Sequence, residues 1–241
     1  MAKISSSTKK AYTLVELSIV LVIIAIFLSS GLNIFTNNIV QTKTVNTKEK
    51  LNIIYKSLAE HLMTKRKLPC PTLLTTPKDN IGTSYGSPNA TPCSTTGGVP
   101  TRALDLPSDM AEDDFGNKIL YVVDARLTAS LVFVAPVTTI DGQGAITIIN
   151  NGTLETSTKP MLLLLSYGAN SCGATKINAQ QNALCLDHND GADQSENSDN
   201  DTTFTTTSTH PKFDDVILTK TYYDFLQELN LTQTQAQAYF R

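Results

Sequence analysis

The pattern of apolar and polar positions divides the chain into two regimes. From Tyr12 to Leu28 the only charged residue is Glu16, and apolar character continues through Leu32, Ile34 and Phe35. A helix needs about 20 mainly apolar residues to cross the hydrocarbon of a bilayer, so residues 12–35 are expected to form such a span. Beyond them the periodicity changes. Leu51, Ile54, Tyr55, Leu58 and Leu62 recur at the spacing of one helix face, with Thr, Asn and Lys on the others. Lys65, Arg66 and Lys67 suit a helix C-terminus, where cations meet the negative end of the helix dipole, and Pro69 and Pro71 stop it. The spacing predicts one helix from Tyr12 to about Arg66, about 80 Å long at 1.5 Å per residue. Its first half, 12–35, must pack in a membrane or an assembly, and its amphipathic continuation, 36–67, against a head at 68–241. Gly31, beside Ser30, is the expected soft point.

The head reads differently. Residues 68–117 are rich in Pro, Gly, Thr and Ser and predict a long irregular loop. Short runs of Val, Ile and Leu between turn residues predict strands at Lys118–Asp124, Ser130–Ala135, Ala145–Asn150, Met161–Ser166 and Asp214–Thr219. Tyr222–Leu229 reads as a short amphipathic helix. The expected class is α+β, a long N-terminal helix packed on an antiparallel sheet. Residues 202–209, nearly all Thr and Ser around Phe204, read as an exposed low-complexity run.

Composition and charge narrow the function. Of 241 residues, 41% are hydrophobic and 17% charged, and the net charge is −3. That balance gives no electrostatic reason to expect nucleic acid as a partner. Four cysteines, Cys70, Cys93, Cys172 and Cys185, lie in loop-like sequence after the apolar segment. An even count there suggests disulfides and an oxidising compartment. Three connectivities are possible, and pairing of neighbours, Cys70–Cys93 and Cys172–Cys185, brackets one irregular stretch with each bond. The histidines are His61, His188 and His210, and no nucleophile elbow, P-loop, zinc-protease or dinucleotide motif accompanies them. Asp113 and Asp114 share a turn and suit capping better than acid/base work. The chain is therefore not expected to be an enzyme.

Glu16 is the residue that plainer readings leave out. A secretory signal peptide, cut near Ser29-Ser30-Gly31, would not need it, nor would a simple signal anchor. A carboxylate within a membrane helix costs about 2.5–3.5 kcal/mol on insertion scales and is usually kept for a partner. Residues 1–10 are short and polar, with Lys3, Lys9 and Lys10, and the lysines are expected to stay cytoplasmic.

The run Lys9-Lys10-Ala11-Tyr12-Thr13-Leu14-Val15-Glu16-Leu17-Ser18-Ile19-Val20 resembles the leader and first turns of type IV prepilins and type II secretion pseudopilins. The resemblance implies a leader, residues 1–11, removed by prepilin peptidase between Ala11 and Tyr12, with N-methylation of Tyr12. Removing it leaves 16 basic against 22 acidic residues, a net charge of −6. It places Glu16 fifth in the mature chain, where the family keeps an assembly glutamate, and implies a pilin-like head. Two residues depart from the pattern: Ala11 stands where Gly is usual, and Tyr12 where Phe or Met is usual. The implied partners are homologous pilin or pseudopilin subunits, prepilin peptidase and an inner-membrane assembly platform. The implied location is the bacterial inner membrane, single-pass with a cytoplasmic N-terminus and a periplasmic head, then a periplasmic or surface filament.

Three segments of the head are similar to those of major pseudopilins: Asp114-Phe115-Gly116-Asn117 with Tyr121, Ser166-Tyr167-Gly168-Ala169-Asn170, and Asp214-Asp215-Val216-Ile217. The family's Trp is missing from the first, and a long insertion separates the last two. That insertion gathers Asp187, Asp190 and Asp193, then Glu196, Asp199 and Asp201. Calcium takes six to eight oxygen ligands of this kind, and major pseudopilins bind calcium between the same two segments. Asp187, Asp190 and Asp193 are therefore candidate calcium ligands, set against a solvated acidic loop. No other cofactor is expected. The expected function is a pseudopilin of type II secretion. The alternatives are a minor type IV pilin serving adhesion, motility or DNA uptake, and a bitopic binding protein that does not polymerise.

Overall fold

The computed structural model describes residues 13–75, 93–128, 146–150, 152–155, 159–176, 178, 180–182, 196–199, 201–207, 213–232 and 234–235, with only the backbone described at 27–37. The chain forms two compact units, Met1–Thr42 and Lys43–Arg241. One helix, α1 (Leu14–Lys65), runs through both. The first unit consists, as far as it is described, of the N-terminal part of α1.

The second unit is a mixed α/β head whose core begins on the helix. Leu51, Ile54, Tyr55, Leu58 and Leu62 are all buried, so the predicted face is the packed face. The helix ends at Lys65 because Arg66 turns to φ 57°. Its N–H still bonds the Leu62 carbonyl at 2.8 Å, and Leu68 then ties to the Leu127 carbonyl at 2.7 Å.

The strands are β1 (Thr96–Gly98), β2 (Leu120–Val123), β3 (Thr147–Asn150), β4 (Thr153–Glu155), β5 (Leu162–Ser166), β6 (Thr203–Thr207) and β7 (Val216–Lys220). Four form an antiparallel sheet in the order β1-β2-β5-β7. A smaller sheet has the order β4-β3-β6, with β3 parallel to β6. A short helix, α2 (Ala125–Thr128), follows β2. A further helix, α3 (Tyr222–Glu228), is closed by a capping box in which Thr221 and Asp224 bond each other's backbone N–H.

The larger sheet is covered on both faces. One face, through Tyr121, Val123, Leu162, Leu164 and Val216, packs with α1 and with Phe225 of α3. The other, through Leu120, Val122, Leu163 and Leu165, packs with Ile148 and Phe204 of the smaller sheet and with Ile146 just before β3. A strand buried on both faces reads as a continuous apolar run rather than an alternation, and the run Leu162–Leu165 is such a strand.

Two expectations are corrected. The stretch 202–209 is not an exposed low-complexity run: β6 lies within it, and Phe204 is only 2% exposed. Thr is β-branched and suits a strand, and Phe204 supplies the anchor. Residues 68–117 are not one irregular loop either. They contain β1 and a 3-10 turn at Ser108–Ala111. Gly97 and Gly98 carry no strand signature, yet a Cβ on Gly97 would lie 2.2 Å from the Thr72 carbonyl oxygen, so close backbone approach requires glycine there. The strand expected at Ser130–Ala135 lies outside the described residues.

Candidate functional site

The first site is the start of α1. Thr13 stands before the first helical residue and accepts the Glu16 N–H on its hydroxyl at 3.3 Å, while its carbonyl accepts from Leu17 N–H at 3.2 Å. Thr13 is thus the N-cap, the position at which a side-chain oxygen satisfies a donor the helix leaves free. Glu16 falls in the first turn, where the positive end of the helix dipole favours a carboxylate. Around it every described side chain is apolar or small, and exposed. Leu14 is 84% exposed, Ile19 54%, Leu21 59%, Ile23 47% and Ile26 60%. With the equally exposed Val15, Leu17, Val20, Val22 and Ile24, these positions point around the whole circumference, so no face is reserved for water. A helix apolar all round belongs in apolar surroundings. Among the described residues no helix is long and apolar enough to cross a membrane. The span expected at 12–35 includes 27–37, of which only the backbone is described. Ala11 and Tyr12 lie outside the described residues.

The second site is a polar node in the head, where the segments 114–117, 166–170 and 214–217 meet. The Asp113 carboxylate accepts from Ser166 Oγ (2.6 Å), Asn117 N–H (2.8 Å) and Phe115 N–H (2.9 Å). Burial pushes its acid up, and those same donors oppose the rise. Asn117 Nδ2 bonds Ser171 Oγ at 2.8 Å and the Gly168 carbonyl at 3.3 Å. Asn170 N–H bonds Asp214 Oδ2 at 2.9 Å. Gly168 has φ 60°, and a Cβ on it would lie 2.3 Å from the Asp214 carbonyl oxygen. No other residue fits that turn without moving the segment before β7.

The node is clamped to α1 through Asp114, which pairs with Lys50 at 2.7 Å and accepts from Asn46 at 2.9 Å. Partial burial works against the Asp114 charge, but Lys50 and Asn46 outweigh it and hold the carboxyl below its usual range. On the far side lies Asp215. Burial raises its acid to about 7, against the hydrogen bond from Asn197 Nδ2 at 2.7 Å. Its Oδ1 is buried without a hydrogen-bond partner among the described residues. Asn197 also exchanges bonds with the backbone of Thr205 in β6, at 3.0 Å and 2.7 Å. Sequence reasoning singled out neither Asn197 nor the pairing of Asp215 with it. A lone Asn in an acidic loop carries no signal.

In the acidic insertion, Asp187, Asp190 and Asp193 lie outside the described residues. Glu196, Asp199 and Asp201 from the same segment bring carboxylate oxygens within 4.8 Å of one another. Burial first, then Asp199 and Asp201, raise the Glu196 acid. Asp199 and Asp201 each give one oxygen to a local backbone N–H, at 3.1 Å and 2.6 Å. The cluster has the oxygen chemistry calcium uses and, by itself, fewer donors than calcium takes. Cys70 and Cys93 are joined by a disulfide. Cys172 is also disulfide-bonded, and Cys185, the expected partner, lies outside the described residues.

Comparison with known proteins gives one match, confined to the N-terminus. Residues 6–32 match the prokaryotic N-terminal methylation motif, a segment that includes Ala11, Tyr12, Thr13 and Glu16. No curated protein and no solved structure matches the chain. The chain therefore carries the prepilin-type signal of type IV pilins and pseudopilins, at the head of a helix whose first turns are apolar all round.

Proposed function

We propose that the chain is a structural subunit of a type IV pilus-like filament, and specifically a pseudopilin of type II protein secretion. The observation that carries the subunit reading is the exposed apolar circumference of α1 from Leu14 to Ile26, interrupted by one carboxylate, Glu16. Such a surface is stable in lipid or among the helices of neighbouring subunits. Prepilin peptidase cuts between Ala11 and Tyr12, and Tyr12 is methylated. The precursor crosses the inner membrane once, N-terminus inside and head in the periplasm. On docking, Glu16 pairs with the Tyr12 amine of a neighbour. Losing one member of a buried ion pair typically costs about 3–5 kcal/mol, enough to make the contact selective. The order of the three head segments supports the pseudopilin assignment, as does their convergence on one node.

Sheared filaments from cells carrying Glu16→Leu test the assembly role. The variant should stay in the membrane and be lost from the filament fraction. Undiminished incorporation would sink the role given to Glu16.

One observation favours a second reading. The head unit, Lys43–Arg241, is large relative to a typical major subunit of the family, which suits a minor or tip component of a pilus. Neighbouring genes separate the two: secretion-channel components support the first, and a retraction ATPase with pilus genes the second. Calcium held by the acidic insertion, through Asp187, Asp190 and Asp193, remains part of the proposal as a structural ion.

A further inference from the structure

We propose that Asn230 is an acceptor site for an N-linked glycan, within the segment Glu228-Leu229-Asn230-Leu231-Thr232. The proposal rests on the reading that the head is exported to the periplasm, where such transfer takes place in bacteria. Asn-x-Ser/Thr is the triplet at which carbohydrate is joined to asparagine in exported chains. The bacterial form of the signal adds an acid two residues before the asparagine. Four Asn-x-Thr triplets occur in this sequence, at Asn89, Asn151, Asn200 and Asn230. The residues two places earlier are Ser87, Ile149, Ser198 and Glu228, so only the last triplet carries the acid.

The fold presents that segment outward. Helix α3 ends at Glu228, and Asn230 turns to φ 53°. Glu228, Asn230 and Thr232, the three residues from which the signal is read, are exposed. The two spacers face the other way: Leu229 and Leu231 are half-buried and pack against the core. Backbone bonds fix this alternation, from Leu229 N–H to the Phe225 carbonyl at 3.0 Å and from Leu231 N–H to the Leu226 carbonyl at 2.9 Å. The Thr232 hydroxyl is engaged locally. It donates to Gln235 Oε1 at 2.9 Å and accepts from Gln235 N–H at 3.2 Å. Both residues are exposed, so groups of an enzyme can replace these bonds. A left-handed residue after a helix accounts for an asparagine at 230. It asks for neither an acid two residues before nor a hydroxyl two residues after.

An amide nitrogen is a weak nucleophile, so the partner is a membrane oligosaccharyltransferase, and the sugar donor is an oligosaccharide on polyprenyl diphosphate. The bond from the anomeric carbon to the diphosphate oxygen breaks, and one forms from that carbon to Asn230 Nδ2. The polyprenyl diphosphate leaves with the electron pair of the broken bond, and the amide gives one proton to a base of the transferase. Nothing is oxidised or reduced. Glu228 offers its carboxylate to a cation of that enzyme.

The test expresses the full chain in a bacterial host carrying a periplasmic oligosaccharyltransferase and an undecaprenyl diphosphate oligosaccharide of known mass. Trypsin cuts after Lys220, and the next basic residue is Arg241, so the segment is read as the single peptide 221–241. That peptide should carry the added mass of one oligosaccharide. Asn230→Gly suits the positive φ of the turn, and Glu228→Gln keeps the side-chain length. Both variants should lose the added mass while melting as the parent does. An unmodified peptide from an exported parent overturns the proposal, as does an added mass that persists in either variant. Protease added to spheroplasts distinguishes this from failure of the export reading, because a head protected from it was never exported.

Discussion

Asp215→Asn should stabilise the head, and only at neutral and higher pH. The Asp215 acid is raised from 3.8 to about 7, by burial first, with Asp214 adding and the Asn197 hydrogen bond opposing. A folded-state value above the unfolded one means that the fold prefers the protonated acid. Near pH 4 and below, both states hold the proton and the group contributes little. Between about pH 4 and pH 7 the unfolded chain gives up the proton while the folded head retains it, so stability falls as pH rises. Above about pH 7 the full penalty is present and constant. At about 1.4 kcal/mol per decade, a gap of this size is worth up to about 4 kcal/mol. Asn mimics the protonated acid: it keeps an acceptor for Asn197 and removes the charge. Denaturant melts of the detergent-solubilised parent and variant, at about pH 4 and about pH 8, read the effect through the shift in midpoint. The account requires a gain of a few kcal/mol at the higher pH that nearly vanishes at the lower. A variant no more stable at about pH 8, or equally shifted at both, would refute it.

Other expectations are as direct. Leu58→Ala, at a fully buried position on the packed face of α1, should cost the head about 2–5 kcal/mol in the same melts, whereas Ile53→Ala, at a position 41% exposed, should cost little. Gly168→Ala should destabilise the head, because its φ of 60° disfavours a side chain and the new Cβ would strike the Asp214 carbonyl; an unchanged melting temperature would show that the turn can shift. If the acidic insertion holds calcium, millimolar calcium should raise the melting temperature of the parent, and replacing Asp187, Asp190 and Asp193 together by Asn should abolish the rise. An unchanged parent midpoint would remove the ion from the account.

Much of this was legible because it follows from periodicity. The buried face of α1 could be read from Leu51 to Leu62, since a 3.6-residue repeat leaves little freedom about what packs inward. The run Leu162–Leu165 was recognisable as a strand, though its two-sided burial waited on the smaller sheet. What escaped depends on long-range pairing. β1 consists of Thr and two glycines, and it exists because Val122 and Tyr121 of β2 lie opposite it and Thr72 bridges to Gly98. β6 hid in a Thr-rich run because pattern-reading treats such runs as solvated, whereas Phe204 is held in the core between the sheets. The candidate sites divide in the same way. Glu16 stood out because a charge within an apolar helix is costly wherever the rest of the chain lies. Asn197 and Asp215 acquire meaning only from each other, across 18 residues and a strand edge.

The central claim is that α1 begins life in the membrane with a leader and ends as the core of a filament. The most direct measurement is the mass of the N-terminal peptide from the membrane fraction and from sheared filaments of the same cells. The account predicts a peptide beginning with methylated Tyr12 in both fractions, with Glu16→Leu confined to the first. A chain that keeps residues 1–11, or one released into solution by cleavage after Ser29-Ser30-Gly31, would contradict it.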